Sequence, residues 1–220
     1  MRVKKLDNNT SEKFIEAMLE SILEHGGLTG VNLRMVAKKV GCAHTNAYNY
    51  FDGYDGLIYA AYDRALIIYG QAVVKELDII DSKIEYFSAF VKNIIEFALN
   101  YPGYYRFIGS DMFDLSGLAG STIQKAIELK AFFLDVTYTS MEGIISREDS
   151  DRYANILMSY IDGELYNIIN YRAFPDDQTE SRIIKNCIHM VELFLKGDTL
   201  DPILTKRPVW PNYILEANKS

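Results

Sequence analysis

The stretch VAKKVGCAHTNAYNYFDGYDGL, residues 36–57, decides the fold, because its second half departs in composition from the rest of the chain. Two short helical patterns flank Gly41, and the second is built from hydrogen-bonding side chains instead of core formers. A helix, a glycine-containing turn and another helix form the order of a helix-turn-helix. We expect Gly41 to permit the turn and Ala37 to let the two helices cross closely. Three apolar residues are expected to face inward: Cys42, Ala47 and Phe51.

The polar residues of this stretch are left for the outer faces of the second helix. They are His44, Thr45, Asn46, Tyr48, Asn49 and Tyr50. In a recognition helix the first residues reach base edges, while hydroxyls and amides hold phosphates. Asn46 or Asn49 can bond an adenine through two hydrogen bonds, and the methyl group of Thr45 can contact a thymine. The alternative is a surface helix whose polar side chains have no nucleic-acid partner.

The remainder of the chain predicts an all-α fold, because its apolar residues recur every three or four positions and no alternation with period two is found. A capped first helix ends at Gly26-Gly27, short helices follow at 33–40 and about 44–50, and a longer one begins near Asp55. Further long helices are predicted near 82–100, 103–113, 118–145, 149–173 and 177–196. We expect three regions: 1–54, 55–197 and an extended C-terminal tail at 198–220.

Charge is distributed unevenly along the 220 residues, whose formal net charge is −7. Residues 1–50 hold seven Lys/Arg and five Asp/Glu, whereas the remainder holds 16 and 25. A mildly basic end on an acidic body favours a polyanion as the partner of that end. Because residues 44–50 contain no Lys or Arg, non-specific attraction has to come from other cations, and we expect a shallow salt dependence. Those cations are Arg2, Lys4, Lys5, Arg34, Lys38 and Lys39.

Several classes of protein are disfavoured by what the sequence lacks. No zinc-protease, P-loop, Cys-x-x-Cys or nucleophile-elbow pattern occurs, so we expect no enzyme, no catalytic residue, no metal site and no cofactor. No apolar run approaches the roughly 18 residues of a membrane span, and the first ten residues lack the apolar segment of a secretory signal. With only two cysteines as well, we expect a cytoplasmic protein without membrane contact.

Residues 10–66 resemble the TetR family of transcriptional regulators. The matching positions are Val36-Ala37, Gly41-Cys42-Ala43, Ala47-Tyr48-Asn49-Tyr50-Phe51, Asp52-Gly53-Tyr54 and Leu57. The resemblance implies an N-terminal three-helix helix-turn-helix domain, followed by a larger helical ligand-binding and dimerisation domain. Tyr50 replaces the family's usual histidine, Tyr54 its usual lysine and Ala43 its usual serine cap. Without a serine cap, the first N–H groups of the helix are left for a phosphate.

The resemblance also implies roles for single residues. Arg34 would reach a base or a phosphate, and Tyr48 and Tyr50 would bond phosphates. Three residues would face bases: His44, Thr45 and Asn46. The complete set of candidate DNA-contacting residues is Arg34, His44, Thr45, Asn46, Tyr48, Asn49, Tyr50 and Tyr54.

The middle of the chain is rich in aromatic residues, and in the family the inducer binds between helices of this region. Asp162 and Glu164 lie in an otherwise apolar helix, so an aromatic or cationic small molecule is the expected effector. The candidate ligand-binding residues are Phe90, Phe107, Phe113, Tyr138, Met141, Tyr160 and Glu164. The alternative is that the rings are core and either carboxylate faces water.

The expected function is therefore a ligand-responsive transcriptional regulator. It is expected to be a repressor that binds a near-palindromic operator in double-stranded DNA as a homodimer, joined through its last two long helices, and releases it when a small molecule binds. The alternative is a helical ligand-binding or protein-interaction module that has lost DNA binding.

Overall fold

Eight α-helices and two short 3₁₀ helices follow one another in residues 8–141 and 145–196, which are the residues that the computed structural model describes. No strand occurs in those ranges, which confirms the predicted all-α fold. The helices are α1 (Asn8–His25), α2 (Leu33–Val40), α3 (Gly53–Val73), α4 (Lys83–Asn100), α5 (Pro102–Gly109), α6 (Gly120–Met141), α7 (Arg147–Ile169) and α8 (Thr179–Leu195). The 3₁₀ helices are His44–Asn49 and Leu115–Gly117. The predicted tail at 198–220 lies outside the described residues, as do Arg2, Lys4 and Lys5.

Local capping fixes several helix starts. The Ser82 hydroxyl accepts a hydrogen bond from the Glu85 amide at the start of α4, and the Ser146 hydroxyl accepts one from the Asp149 amide at the start of α7. Pro102 occupies the first turn of α5, where its missing N–H removes no helical bond. No helix of the described residues is long and apolar enough to span a bilayer.

Two apolar cores hold the helices together. The N-terminal core is formed mainly by α1, α2, the 3₁₀ helix His44–Asn49 and the first half of α3. The larger core is formed mainly by α4, α6, α7 and α8. The long helix α3 contributes to both cores, so its residues connect the two. The predicted boundary at residue 54 falls at the start of this shared helix and stays a prediction.

Helix α5 lies against the N-terminal core although it follows α4 in the chain. Tyr104 and Phe107 are buried in that core. A Cβ atom at Gly103 would lie 2.5 Å from the carbonyl oxygen of Ile22 in α1, so only glycine permits this approach. Helix α5 therefore packs directly against α1.

Candidate nucleic-acid interface and ligand cavity

Helix α2 and the turn after it are built as the sequence predicts. The Asn32 side chain accepts a hydrogen bond from the Met35 amide at 3.1 Å and so caps the start of α2. Gly41 ends the helix with φ of 79°, a left-handed conformation that favours glycine. Ala37 is 1% exposed, which allows the close helix contact expected of it.

Residues His44–Asn49 form a 3₁₀ helix, which we call the 3₁₀ segment, where the sequence predicted a short helix over about 44–50. The amides of Asn46 and Tyr50 donate to carbonyls three residues earlier, those of Ala43 and Ala47. Ala43 supplies no side-chain cap, and the segment is only six residues long. Short uncapped turns of this kind commonly tighten to three residues per turn.

Three residues per turn place the side chains of the 3₁₀ segment and its C-cap in three rows. The inward row is His44, Ala47 and Tyr50: Ala47 is fully buried, and the ring of Tyr50 lies 6.4 Å from that of Phe14 in α1. Phe51 packs edge-on against the same Phe14 ring. The segment is therefore held to the N-terminal core by Ala47 and Tyr50, whereas His44 at the start of the same row is half-buried.

The other two rows face away from the core. Thr45 and Tyr48 form one of them, and Tyr48 is 57% exposed. Asn46 and Asn49 form the other, where the Asn49 side-chain amide donates to the Asn46 side-chain oxygen at 2.9 Å. This bond fixes the two amides relative to each other and leaves the Nδ2 group of Asn46 pointing away from that bond. The outward rows thus present two amides, a threonine and a tyrosine.

A shallow concavity of about 600 Å³ adjoins the 3₁₀ segment. Arg34 and Lys38 of α2 line it together with His44, and both cations are exposed. The exposed charge of α2 therefore lies beside the start of the 3₁₀ segment, next to His44. Lys39 is placed differently: its ammonium lies 2.6 Å from Glu24 and 3.6 Å from Glu20, and the hydrogen bond to Glu24 raises its pKa.

Tyr54 is turned toward the protein. Its hydroxyl donates to the carbonyl oxygen of Val31 at 2.8 Å, and burial raises the pKa of Tyr54 to about 12. The residue therefore ties the start of α3 to the loop before α2. Its assignment as a DNA contact stays a prediction.

A cavity of about 540 Å³ lies among α3, α4, α5, α6 and α7, within the size range of pockets that hold small molecules. Six aromatic side chains line it: Tyr62, Tyr69, Phe90, Tyr105, Phe133 and Tyr166. Two charged side chains share the lining, Asp162 of α7 and Lys130 of α6. The cavity is thus largely apolar with a few polar groups.

The carboxylate of Asp162 is the acidic group of this lining. It accepts a hydrogen bond from the Tyr105 hydroxyl at 2.7 Å. Burial raises the pKa of Asp162, and the bond from Tyr105 lowers it by a smaller amount. The pKa of Glu164, two residues further along α7, is lowered instead, because both of its oxygens accept hydrogen bonds from the guanidinium of Arg182, at 2.9 and 3.0 Å.

Of the seven candidate ligand-binding residues, only Phe90 lines this cavity. Phe107 is fully buried in the N-terminal core, and Phe113 packs 5.6 Å from its ring. Met141 is fully buried in the larger core.

The remaining three candidates are engaged at other places on α6 and α7. The ring of Tyr138 lies under the guanidinium of Arg147 at 4.9 Å. The hydroxyl of Tyr160 accepts a hydrogen bond from the Asn186 side chain at 2.7 Å, and Glu164 is held by Arg182. The structure therefore does not bring these residues together with Phe90.

The sequence contained a signal for the residues that do line the cavity. Asp162 is a carboxylate in an otherwise apolar helix, and Tyr105 belongs to the aromatic-rich middle. Which of several tyrosines and carboxylates face one cavity depends on how five helices pack. That information is absent from the periodicity of any one helix.

Arg106 of α5 and Asp111 of the loop after it connect the surroundings of the cavity to the N-terminal core. The guanidinium of Arg106, next to Tyr105, donates to the carbonyl oxygens of Gly26 and Ile169. The Asp111 carboxylate accepts a hydrogen bond from the Leu28 amide at 2.5 Å. The ends of α1 and α7 and the loop before α2 are thus joined through α5.

No protein-family model and no curated protein matches this chain. Solved structures do match. A TetR-family transcriptional regulator from Streptomyces coelicolor is 10% identical with a TM-score of 0.66, over 97% of this chain and 96% of that one. A TetR-family regulator from Marinobacter aquaeolei VT8 is 12% identical with a TM-score of 0.62, over 84% and 96%. RolR, in complex with its ligand resorcinol, is 15% identical with a TM-score of 0.56, over 89% and 96%.

The similarity confirms the predicted fold over nearly the whole of each chain. The resemblance noted in residues 10–66 therefore extends to the helical bundle that follows them. At identities of 10–15% the similarity concerns the fold alone.

Proposed function

We propose that this chain, which has the fold of TetR-family regulators, is a ligand-responsive transcriptional repressor that binds a near-palindromic operator as a homodimer. One observation carries the proposal: a polar, exposed surface on the 3₁₀ segment of a helix-turn-helix. The inward row of the segment is bound to the N-terminal core, so the outward rows are available to a duplex. Apolar burial accounts for the inward row, whereas it gives no reason for an exposed row of amides, threonine and tyrosine.

The outward rows define the expected contacts. Asn46 and Asn49 are proposed to read a base edge through their amides, and Thr45 to contact a thymine methyl group. Tyr48 is proposed to bond a phosphate. Arg34 and Lys38 would neutralise phosphates at the concavity beside them, where Ala43 leaves the start of the 3₁₀ segment without a side-chain cap.

The homodimer is proposed to form through α7 and α8. Ile156 of α7 and Leu193 of α8 are 45% and 50% exposed in the single chain, although both are large and apolar. A twofold dimer would present two 3₁₀ segments to successive major grooves, about 34 Å apart.

The cavity among α3 to α7 is proposed to bind the effector. Tyr105 lines the cavity, and the adjacent Arg106 bonds to the end of α1, so a ligand that shifts α5 shifts the N-terminal core. RolR, which shares the fold, binds resorcinol. An effector that favours the shifted state by ~1–3 kcal/mol would change DNA affinity by about 5- to 150-fold.

A gel-shift titration with the DNA upstream of the chain's own gene tests the proposal. We expect a discrete complex, and binding that weakens with salt; Arg34 and Lys38 of two subunits would contribute about −4 to the slope, because they would neutralise about four phosphates. The paired Lys39 is not counted. No complex at low salt would favour the alternative of a helical module that has lost DNA binding.

A further inference from the structure

The cavity contains a carboxylate that lacks a cationic partner. Among the described residues, Asp162 accepts a hydrogen bond from the Tyr105 hydroxyl and forms no ion pair. Glu164 is the contrast on the same helix, because the guanidinium of Arg182 bonds both of its oxygens. Lys130 lines the same cavity without pairing with Asp162.

Asp162 lines an apolar cavity although the residue as a whole is exposed to solvent. The cavity wall is mostly aromatic and aliphatic, and burial raises the pKa of Asp162. An exposed carboxylate beside an apolar wall keeps its water until a ligand binds, so a ligand cation can pair with it at a small desolvation cost. Of its lining neighbours, only a tyrosine hydroxyl compensates it directly.

The rings next to the carboxylate provide the other half of a cation site. The rings of Tyr69 and Tyr105 meet edge to face with centroids 6.3 Å apart. Burial raises the pKa of both tyrosines, and the charge of Asp162 raises them further, as expected for groups that lie close together. Tyr166, also in the lining, already contacts the guanidinium of Arg172 at 5.4 Å. Tyr69 and Tyr105, whose pKa values respond to the charge of Asp162, are therefore the lining rings closest to a cation bound at that carboxylate.

We propose that the cavity binds an organic cation with an aromatic or aliphatic body, whose ammonium group pairs with Asp162 beside Tyr69 and Tyr105. The inference rests on the proposed role of this cavity as the effector site. The apolar wall would hold the body of the ligand, and the carboxylate would select its charge. An acidic ligand would instead have to pair with Lys130 and place its own charge near Asp162.

Three probes that share one ring system test the charge preference: naphthylethylamine, naphthylethanol and naphthylacetate. Calorimetric titration of the full chain should give the amine an affinity at least about 10-fold higher than those of the alcohol and the acid. Asp162→Asn should weaken binding of the amine by about 10- to 100-fold. Its affinity for the alcohol should stay within about twofold of the parent's, which also shows that the variant is folded.

Four results would overturn the inference: tighter binding of the acid, equal binding of the amine and the alcohol, no binding of the amine at millimolar concentration, or a loss of amine binding in Glu164→Gln instead of Asp162→Asn.

A parallel gel shift without probe separates this inference from the proposed function. Operator binding without amine binding refutes only the cation site. Amine binding without operator binding supports the cation site and refutes the regulator.

Discussion

At the level of single residues, Tyr48 and Tyr54 carry the same hydroxyl but face opposite ways. Tyr48 is exposed on an outward row of the 3₁₀ segment, and Tyr54 bonds the carbonyl oxygen of Val31. We expect Tyr48→Phe to weaken operator binding by about 10-fold with unchanged stability, since a hydrogen bond to a charged phosphate is lost. Tyr54→Phe should lower the free energy of unfolding by about 0.5–1.5 kcal/mol and change DNA affinity by less than about twofold. Anisotropy and urea titrations of both variants measure this, and a reversed pattern would assign the DNA contact to Tyr54.

Asp162 gives a second prediction, on the pH dependence of stability. Its pKa in the folded protein lies above the ordinary 3.8, so the folded state binds the proton more tightly than the unfolded chain does. Ionisation therefore weakens folding as the pH rises through 3.8 and the folded-state value. Because Asp162 is exposed and water screens its charge, Asp162→Asn without ligand should stabilise the protein at pH 7 by no more than about 0.5 kcal/mol, or about 1–2 °C in Tm.

The stabilisation by Asp162→Asn should shrink as the pH is lowered from 7 through the folded-state pKa of Asp162 to below 3.8, because the carboxyl group is then protonated and neutral like the amide. Thermal unfolding of the two proteins at several pH values provides the measurement. A variant that is less stable than the parent at pH 7 would mean that the carboxylate already has adequate partners in the folded chain.

At the level of elements, α5 connects the cavity to the N-terminal core through Arg106. Arg106→Met removes the donor to the carbonyl oxygens of Gly26 and Ile169, and we expect a loss of about 1–3 kcal/mol in stability. We also expect DNA affinity to fall by about 2- to 30-fold, although no outward-facing residue changes. Amide hydrogen exchange should become faster at residues 26–28 in Arg106→Met. In Arg106→Lys the exchange rates there should lie between those of the parent and those of Arg106→Met. Unchanged exchange there would show that α5 does not hold the end of α1.

The elements differ in how far the sequence could predict them. Asn32 and Gly41 are local signals, and both act at the ends of α2 as expected. His44–Asn49 forms a 3₁₀ helix without a side-chain cap, whereas the polar pattern predicts only a short helix and not its type. Tyr50 shares a row with the buried Ala47 and packs against Phe14, whereas His44 of the same row lines the concavity with Arg34 and Lys38. The roles of both residues as DNA contacts stay predictions.

The cavity was less predictable than the helix-turn-helix. The aromatic or sulfur-containing side chains of Phe107 and Met141 make them candidates for ligand binding. Both are fully buried in the apolar cores instead, because of the helix faces on which they lie. Asp162 and Glu164 are equivalent by composition, and only the packing of α7 against α5 and α8 distinguishes them. The Tyr105 hydroxyl donates a hydrogen bond to Asp162, and the Arg182 guanidinium donates to Glu164.

At the level of the whole molecule, the proposed dimer depends on apolar surface that the single chain leaves exposed. The double variant Ile156→Glu with Leu193→Glu places charges on that surface of α7 and α8. We expect sedimentation at micromolar concentration to change from a dimer of 25.1 kDa chains to a monomer, with loss of operator binding. Ile79→Glu is the matched control, because Ile79 is 75% exposed in the connection between α3 and α4. A double variant that stays dimeric would place the interface elsewhere.

The contact between the outward rows and a duplex is tested most directly by one anisotropy titration. It compares the parent with the double variant Asn46→Ala and Asn49→Ala, on the upstream fragment and on unrelated DNA of equal length. We predict that the variant loses about 10- to 100-fold in affinity for the upstream fragment and stays within about twofold on unrelated DNA, because base contacts are lost while Arg34 and Lys38 remain. Equal affinity of both proteins for the upstream fragment would contradict the account.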